Sequence, residues 1–202
     1  IVTGAFSQAG QSCISVQRIF VHKTIYEKFL DRYIGETEKL KVGDPFDNET
    51  DVASMINEEE AKRAESWIQD AISEGAKAVT GGTRQAAVLA PTILCDTNTN
   101  MKVNSHEVFA PVATVTEFSD FGSAIEMIND SKFGLQAGVF TNNMKNAFNA
   151  FEKIETGGVI INNVSTYRMD AMPYGGVKDS GNAREGVRFA IEEMTERKIM
   201  VI

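Results

Sequence analysis

Residues 112–162 read VATVTEFSDFGSAIEMINDSKFGLQAGVFTNNMKNAFNAFEKIETGGVIIN. The stretch alternates β-branched runs, which predict strands, with apolar residues at helical spacing, which predict helices. The successive strand and helix segments are 112–118, 121–128, 136–141, 144–154 and 158–162. Strands that alternate with helices are typical of an α/β domain, in which a mostly parallel sheet is flanked by helices.

Upstream of this stretch the same alternation continues. Capping-box patterns at Thr24 and Asn57 predict the starts of two helices. Residues 88–95 contain Pro91, so we predict an edge or irregular strand there. Two further strands are predicted at 18–22 and 76–80.

Downstream, a long loop is predicted to run to about residue 183, and a helix follows over 187–194. A last strand is predicted at 199–202, after a charged stretch, and we expect it to pair outside its own domain. The sequence therefore predicts one α/β domain over residues 1–195 and an oligomerisation strand over 196–202.

Composition limits the classes of function. The chain has 202 residues, is 43% hydrophobic and 24% charged, and carries a net charge of −8. The negative charge argues against nucleic acid or an anionic membrane as a partner. No apolar run approaches the length of a membrane span.

Two cysteines form no disulfide framework, which favours a reducing, cytoplasmic location. The chain begins at Ile1 without a methionine, so we expect it to belong to a longer protein.

Cys13 is the first candidate for chemistry, because small and polar residues surround it in the run from Ser7 to Arg18. Small neighbours leave room for a reactant, and a helix N-terminus near Cys13 would stabilise a thiolate. The alternative is that Cys13 is a small buried apolar side chain, the usual fate of an unreactive cysteine. From the residues alone this choice stays open.

Two other segments carry potential ligand-binding groups. Glu107 and Phe109 precede a predicted strand, and a carboxylate beside a ring suits a ligand with hydroxyls and a flat face. A glycine-rich segment covers 173–181, but it follows a loop rather than a strand and does not match a dinucleotide or phosphate motif. Metal binding is not predicted, because the histidines and cysteines lack ligand spacing. A hydrolase dyad of Cys13 with His106 is a further alternative.

Taken in order, these segments resemble the catalytic domain of the aldehyde dehydrogenase superfamily over nearly the whole chain. Residues 10–13 match the family's Gly-Gln-x-Cys, and 107–112 match its Glu-x-Phe-Gly-Pro-Val. Three more matching segments are 129–135, 158–162 and 173–185, the last with Arg184 and Glu185. Any one motif is only suggestive, whereas five in the correct order are highly specific.

The resemblance implies roles for individual residues. Cys13 would attack an aldehyde, and a thiohemiacetal and then a thioester would form on its sulfur. Glu107 would bind the ribose of NAD or NADP, and Phe109 would position the nicotinamide ring. Asn162 would shape the floor of the site, and the substrate pocket would also include Gln11, Ser12 and Ile14.

The resemblance also implies what lies elsewhere. The family's cofactor domain, general-base glutamate and oxyanion-hole asparagine lie upstream of the cysteine, so we expect this chain to be inactive alone. Its partners would be that N-terminal cofactor domain, a small aldehyde, and further copies in a homodimer or homotetramer. Ala110 departs from the family's usual glycine and removes backbone freedom beside the cofactor residues.

The sequence indicates a chemical class of aldehyde substrate but not a single compound. Residues 13–19 resemble a subgroup that acts on lactaldehyde or phosphonoacetaldehyde types, which are small polar or anionic aldehydes. Four arginines are candidates for binding an anionic substrate: Arg18, Arg168, Arg184 and Arg188. Most of them are expected to form ordinary salt bridges instead. Two alternatives to a dehydrogenase stay open: a non-enzymatic dimerisation module, and an unrelated cysteine hydrolase that uses Cys13.

Overall fold

Val112–Phe118 is the longest strand in the structure, a computed structural model that describes all 202 residues. Its first four residues are buried, since parallel strands flank it on both sides. A strand inside a parallel sheet needs apolar side chains on both faces, and this run supplies them. The predicted strand at 112–118 is confirmed.

Seven helices and ten short strands make up the chain. The helices are α1 Val2–Phe6, α2 Tyr26–Thr37, α3 Glu58–Ser73, α4 Lys102–Ser105, α5 Phe121–Asn129, α6 Met144–Lys153 and α7 Val187–Met194. The strands are β1 Arg18–His22, β2 Lys77–Thr80, β3 Arg84–Gln85, β4 Val88–Leu89, β5 Thr92–Cys95, β6 Val112–Phe118, β7 Phe133–Gly134, β8 Gln136–Val139, β9 Gly158–Ile161 and β10 Val177–Lys178. No helix is both long and apolar enough to span a bilayer.

The chain divides into two compact units, Ile1–Asp130 and Ser131–Ile202. The first contains a four-stranded sheet in the order β1-β6-β5-β2, in which only the β5–β2 pair is antiparallel. The second contains the parallel pair β8–β9 and the antiparallel pair β7–β10. The prediction of an α/β fold with mostly parallel strands is confirmed.

The segment around Pro91 is irregular but is not an edge. Proline interrupts it, so that β4 ends at Leu89 and β5 begins at Thr92. β5 then lies between β6 and β2, and all four of its residues are buried. Of the two predicted alternatives, the irregular strand is confirmed and the edge position is wrong, because Pro91 stands outside the paired residues and leaves the ladder of β5 intact.

The two predicted capping boxes have different outcomes. The side-chain oxygen of Asn57 accepts a hydrogen bond of 2.8 Å from the backbone N–H of Glu60 and so caps α3. At α2 the cap residue is Ile25, which makes no side-chain cap bond. The hydroxyl of Thr24 instead lies 2.8 Å from Nδ1 of His22, and this local bond takes the place of the predicted cap.

In the second unit the glycine-rich segment is a packing element. A β-carbon on Gly157 would lie 1.6 Å from the carbonyl oxygen of Gly175, so the two backbones touch. Residues 177–178 then pair with β7. Gly175 and Gly176 allow further close contacts, since a β-carbon on either would lie 2.3 Å from Ala183 or Ser180, respectively, and neither has a positive φ.

The C-terminal residues 195–202 form no helix or strand, so the predicted strand at 199–202 is not present in the structure of this chain. Ile199, Met200, Val201 and Ile202 are all highly exposed. The predicted boundary at residue 195 also differs from the division of the structure, which falls after Asp130.

The Asn57 cap yields a stability prediction. Replacing Asn57 with alanine should lower the free energy of unfolding by about 1 kcal/mol, because an N–H at the start of α3 loses its partner. Urea unfolding followed by the fluorescence of Trp67, the single tryptophan, measures it. Asn48→Ala in the exposed loop is the matched control and should change the free energy little. Equal effects of the two substitutions would contradict the role of the cap.

Candidate active site

The backbone before Cys13 has an uncommon conformation. After α1 ends at Phe6, a short 3₁₀ turn covers Ser7–Gly10, and three consecutive residues have positive φ: Gln8 at 54°, Ala9 at 53° and Gly10 at 66°. Cys13 follows in a turn, and no helix begins there. The helix N-terminus that we considered as a source of thiolate stabilisation is therefore not present.

Cys13 is exposed at the tip of this turn, whereas Cys95 is buried in β5. Two hydrogen bonds to α1 hold this turn. Ser15 Oγ donates to the carbonyl of Ala5 at 3.0 Å, and the Val16 N–H donates to the carbonyl of Gly4 at 3.0 Å. The sulfur of Cys13 is thus presented on a braced loop. The interpretation of Cys13 as a buried apolar side chain is wrong.

Gly10 brings the cysteine loop against the segment that contains Glu107 and Phe109. A β-carbon on Gly10 would lie only 2.1 Å from the carbonyl oxygen of Ala110, a separation that no side chain can adopt. The positive φ of Gly10 adds a second requirement for glycine. The two motifs that the sequence singled out therefore lie in direct backbone contact.

Glu107 and Phe109 are both exposed, and Val108 between them is completely buried. Phe109 has φ of 49°, and its ring side chain keeps 42% of its surface exposed. An accessible carboxylate offers hydrogen-bond acceptors, and an accessible ring offers a flat apolar face. This pair of groups fits a ligand that has vicinal hydroxyls and a planar ring, as the nicotinamide riboside part of NAD or NADP does.

Two residues that the sequence analysis did not select hold Val108 in place. The Gln17 side-chain oxygen accepts from the Val108 N–H at 2.9 Å, and the Val108 carbonyl accepts from Nη2 of Arg63 at 2.7 Å. The Gln17 amide nitrogen donates to the carbonyls of Val103 and His106 at 2.9 and 2.8 Å. We call Gln17 and Arg63 together the Val108 clamp. A polar side chain directly before a strand was the only signal for Gln17, and Arg63 had none.

The residues predicted to line the substrate pocket belong to both units of the chain. The oxygen of the Gln11 side chain accepts from the Ile56 N–H at 2.9 Å, so this amide braces the loop. Ser12 and Ile14 flank Cys13 and are partly buried. Asn162 belongs to the second unit, has φ of 58°, and accepts from the Thr141 N–H at 2.9 Å. Their roles toward a substrate stay predictions.

His106 is exposed and has other partners than a catalytic one. Its Nδ1 lies 2.9 Å from Ser105 Oγ, and its ring meets the Trp67 ring edge-on at 5.6 Å. No group of three or more metal-ligating side chains occurs in the structure.

The arginines considered as anion partners are engaged elsewhere. Arg18 donates to the carbonyl of Met127 at 2.6 Å and lies over the Phe20 ring; burial lowers its pKa, which nearby Asp130 opposes. In the second unit Arg168 and Arg188 pair with carboxylates, and Arg184 donates to backbone carbonyls. Arg18 is therefore a structural residue rather than a substrate ligand.

Comparison with known proteins places these features in one family. The profile of the aldehyde dehydrogenase family matches residues 1–200. A 3-sulfolactaldehyde dehydrogenase of Priestia aryabhattai is 50% identical over 198 residues, which are 98% of this chain and 42% of that protein. The chain belongs to the aldehyde dehydrogenase family, which excludes the unrelated cysteine hydrolase.

Solved structures agree in fold. Aldehyde dehydrogenase 21 of Physcomitrella patens, in complex with its reaction product succinate, superposes with a TM-score of 0.97 at 41% identity and covers 100% of this chain. A glyceraldehyde-3-phosphate dehydrogenase of Methanocaldococcus jannaschii, complexed with NADP, gives 0.92 at 40% identity and covers 96%. This chain spans 42% of the length of each of these two proteins.

The contact of Gly10 with Ala110 gives a second prediction. Gly10→Ala should lower the free energy of unfolding by at least about 1–3 kcal/mol, the cost of a left-handed conformation alone, because the β-carbon also meets the Ala110 carbonyl. Urea unfolding with Trp67 fluorescence measures the loss. Gly35→Ala is the control, since a β-carbon there meets nothing within 4 Å and lies inside α2. A Gly10→Ala protein as stable as Gly35→Ala would contradict the contact.

Proposed function

We propose that this chain supplies the nucleophile and part of the cofactor site of an NAD(P)-dependent aldehyde dehydrogenase that oxidises an aldehyde to a carboxylic acid. The observation that carries the proposal is the exposed Cys13 on a braced loop, in contact through Gly10 with the segment that presents Glu107 and Phe109. Family membership supports the reaction class.

Cys13 performs the covalent chemistry in this proposal. Its thiolate attacks the carbonyl carbon, a C–S bond forms, and the carbonyl electron pair moves to oxygen to give a tetrahedral thiohemiacetal. The backbone N–H of Cys13 donates to this oxyanion as part of the oxyanion hole. Collapse of the tetrahedral centre expels hydride and leaves a thioester, and water then hydrolyses the C–S bond to release acid and the Cys13 thiol.

Glu107 and Phe109 hold the cofactor. The Glu107 carboxylate would accept hydrogen bonds from the ribose hydroxyls, and the Phe109 ring would offer a flat apolar face to the nicotinamide. NAD or NADP, when bound, supplies the acceptor for the hydride. Discrimination between the two depends on the adenosine end, which these two residues do not touch in this proposal.

We propose a small polar or anionic aldehyde as substrate. The support is the 50% identity to a 3-sulfolactaldehyde dehydrogenase and the succinate product in a structure that is 41% identical. Arg18 donates to the backbone carbonyls of Met127 and Ile128, so we propose that another residue recognises the anion. A panel of lactaldehyde, sulfolactaldehyde and succinic semialdehyde against propanal tests this class.

The remaining parts of the site are proposed to lie outside this chain. By resemblance, an N-terminal cofactor domain carries the general base and the oxyanion-hole side chain. The exposed apolar residues 199–202 suit pairing with a second subunit in a homodimer or homotetramer. A reducing compartment such as the cytoplasm suits a catalytic thiol.

Reactivity of Cys13 is tested directly in this chain. Iodoacetamide at mildly alkaline pH should label Cys13 at least about tenfold faster than Cys95, because only Cys13 is accessible. Burial also raises the pKa of the Cys95 thiol, against a smaller lowering by its hydrogen bond with Tyr26, so less Cys95 thiolate is present at a given pH. Peptide mass spectrometry gives both rates. As a control, the labelling rates of Cys13 and Cys95 should converge in urea. Equally slow labelling of both cysteines in the folded chain would contradict the proposal that Cys13 is an accessible nucleophile.

The reaction class is tested by turnover. Residues 1–202 alone should not reduce NAD or NADP with any aldehyde, whereas the complete parent enzyme should. In the parent, Cys13→Ala should lower kcat at least about a thousandfold, as loss of a nucleophile does. Cys95→Ala is the matched control and should retain turnover.

The same turnover experiment distinguishes the dehydrogenase from the second candidate function, a non-enzymatic dimerisation module. A non-enzymatic dimerisation module would leave the parent inactive with every aldehyde and both cofactors while its assembly persists. Turnover by residues 1–202 alone would instead show that the site is complete within them.

A further inference from the structure

We propose that the Val108 clamp, Gln17 and Arg63, positions Glu107 and Phe109 for the cofactor and thereby sets cofactor affinity. This inference rests on the proposed function and adds two positioning residues to it. Neither residue presents a group to the cofactor in the proposal; both act through the backbone of Val108.

Both ends of the Gln17 amide are hydrogen-bonded on one side of the clamp. Its oxygen accepts from the Val108 N–H, and its nitrogen donates to the carbonyls of Val103 and His106. All three contacts are 2.8–2.9 Å, within the range of well-formed hydrogen bonds. One side chain therefore fixes the backbone directly before Glu107 and directly after it.

Arg63 fixes the peptide group on the other side of Val108. Its Nη2 donates to the Val108 carbonyl, while its Nε pairs with Glu60 at 2.7 Å on the same helix. The guanidinium also lies over the Trp67 ring, 4.6 Å from its centroid. Three partners leave the guanidinium little freedom, so it is a rigid donor.

The consequence follows from the alternation of burial. Val108 is completely buried and both of its backbone polar groups are taken by the clamp, while its two neighbours are exposed. Exposed residues on a loose segment would sample many orientations, and a bound ligand would have to order them. With Val108 fixed, the carboxylate and the ring are preorganised.

Gln17 also connects this segment to the nucleophile. It lies on the chain between Cys13 and β1, and its own carbonyl accepts from the Thr114 N–H of β6 at 2.8 Å. Loss of the Gln17 hydrogen bonds should therefore change the orientation of Glu107 and Phe109 more than that of Cys13. The Cys13 turn has its own hydrogen bonds to α1. This separation makes the proposal testable.

The test uses the parent enzyme with Gln17→Met, which keeps the length of the side chain but removes its three hydrogen bonds. With whichever of NAD and NADP supports turnover, the cofactor KM should rise about tenfold. The kcat and the iodoacetamide labelling rate of Cys13 should stay within about twofold of the unsubstituted enzyme. Gln69→Met, an exposed position on α3, is the matched control and should leave all three unchanged.

Arg63→Met provides a second variant that reaches Val108 from the opposite side. It should raise the cofactor KM in the same way, even if Gln17→Met fails to fold. In residues 1–202, Gln17→Met should also speed hydrogen exchange of the Val108 amide, since that N–H loses its acceptor.

An unchanged cofactor KM in both variants would overturn the proposal. A rise in cofactor KM accompanied by equal losses in kcat, Cys13 labelling and urea midpoint would overturn it as well, because that pattern reports general destabilisation. An unsubstituted parent that oxidises no aldehyde contradicts the proposed function itself, and this inference with it.

Discussion

The carbonyl oxygen of Ala110 occupies the space in which a side chain at residue 10 would begin. This backbone contact is the constraint on which the arrangement of the candidate site depends, because it leaves glycine as the one residue that fits at position 10. The contact joins two segments that are far apart in sequence. As a consequence, the Cys13 loop packs directly against the segment that carries Glu107 and Phe109.

The same two segments meet a second time at Gln17. The chain leaves the 103–110 segment at Gly10, turns through Cys13, and returns to that segment at Gln17, which bonds Val103, His106 and Val108. Cys13 therefore lies on a short loop with both ends fixed to one support. Within this loop, Ser15 and Val16 also form hydrogen bonds to α1, so the Cys13 turn has contacts that do not depend on Gln17.

Much of the fold was predictable because its determinants are local. The strand at Val112–Phe118 and the cap at Asn57 follow from runs of neighbouring residues, and both are confirmed. Cys13, Glu107 and Phe109 were selected because their side-chain chemistry is visible in the sequence, although their roles stay predictions. The Val108 clamp was not predictable, because a hydrogen bond from Gln17 or Arg63 to a distant backbone leaves no local pattern. The predicted cap at Thr24 failed because its hydroxyl bonds to the His22 ring instead. Pro91 interrupts the chain as predicted, but the position of β5 inside the sheet depends on which strands pair with it, and no local pattern shows that.

Phe109, not Ala110, has the unusual backbone conformation in this segment. Ala110 stands where the family usually has glycine, yet its φ is not positive, whereas Phe109 is left-handed. Such a conformation in a residue with a large side chain costs of order 1–3 kcal/mol and persists only where the surroundings impose it. The four hydrogen bonds of the Val108 clamp, each worth about 0.5–1.5 kcal/mol, are of the size needed to offset that cost. The exposed ring of Phe109 is thus held in a strained backbone conformation by contacts to its buried neighbour, and the alanine at 110 is tolerated because the strain lies one residue before it.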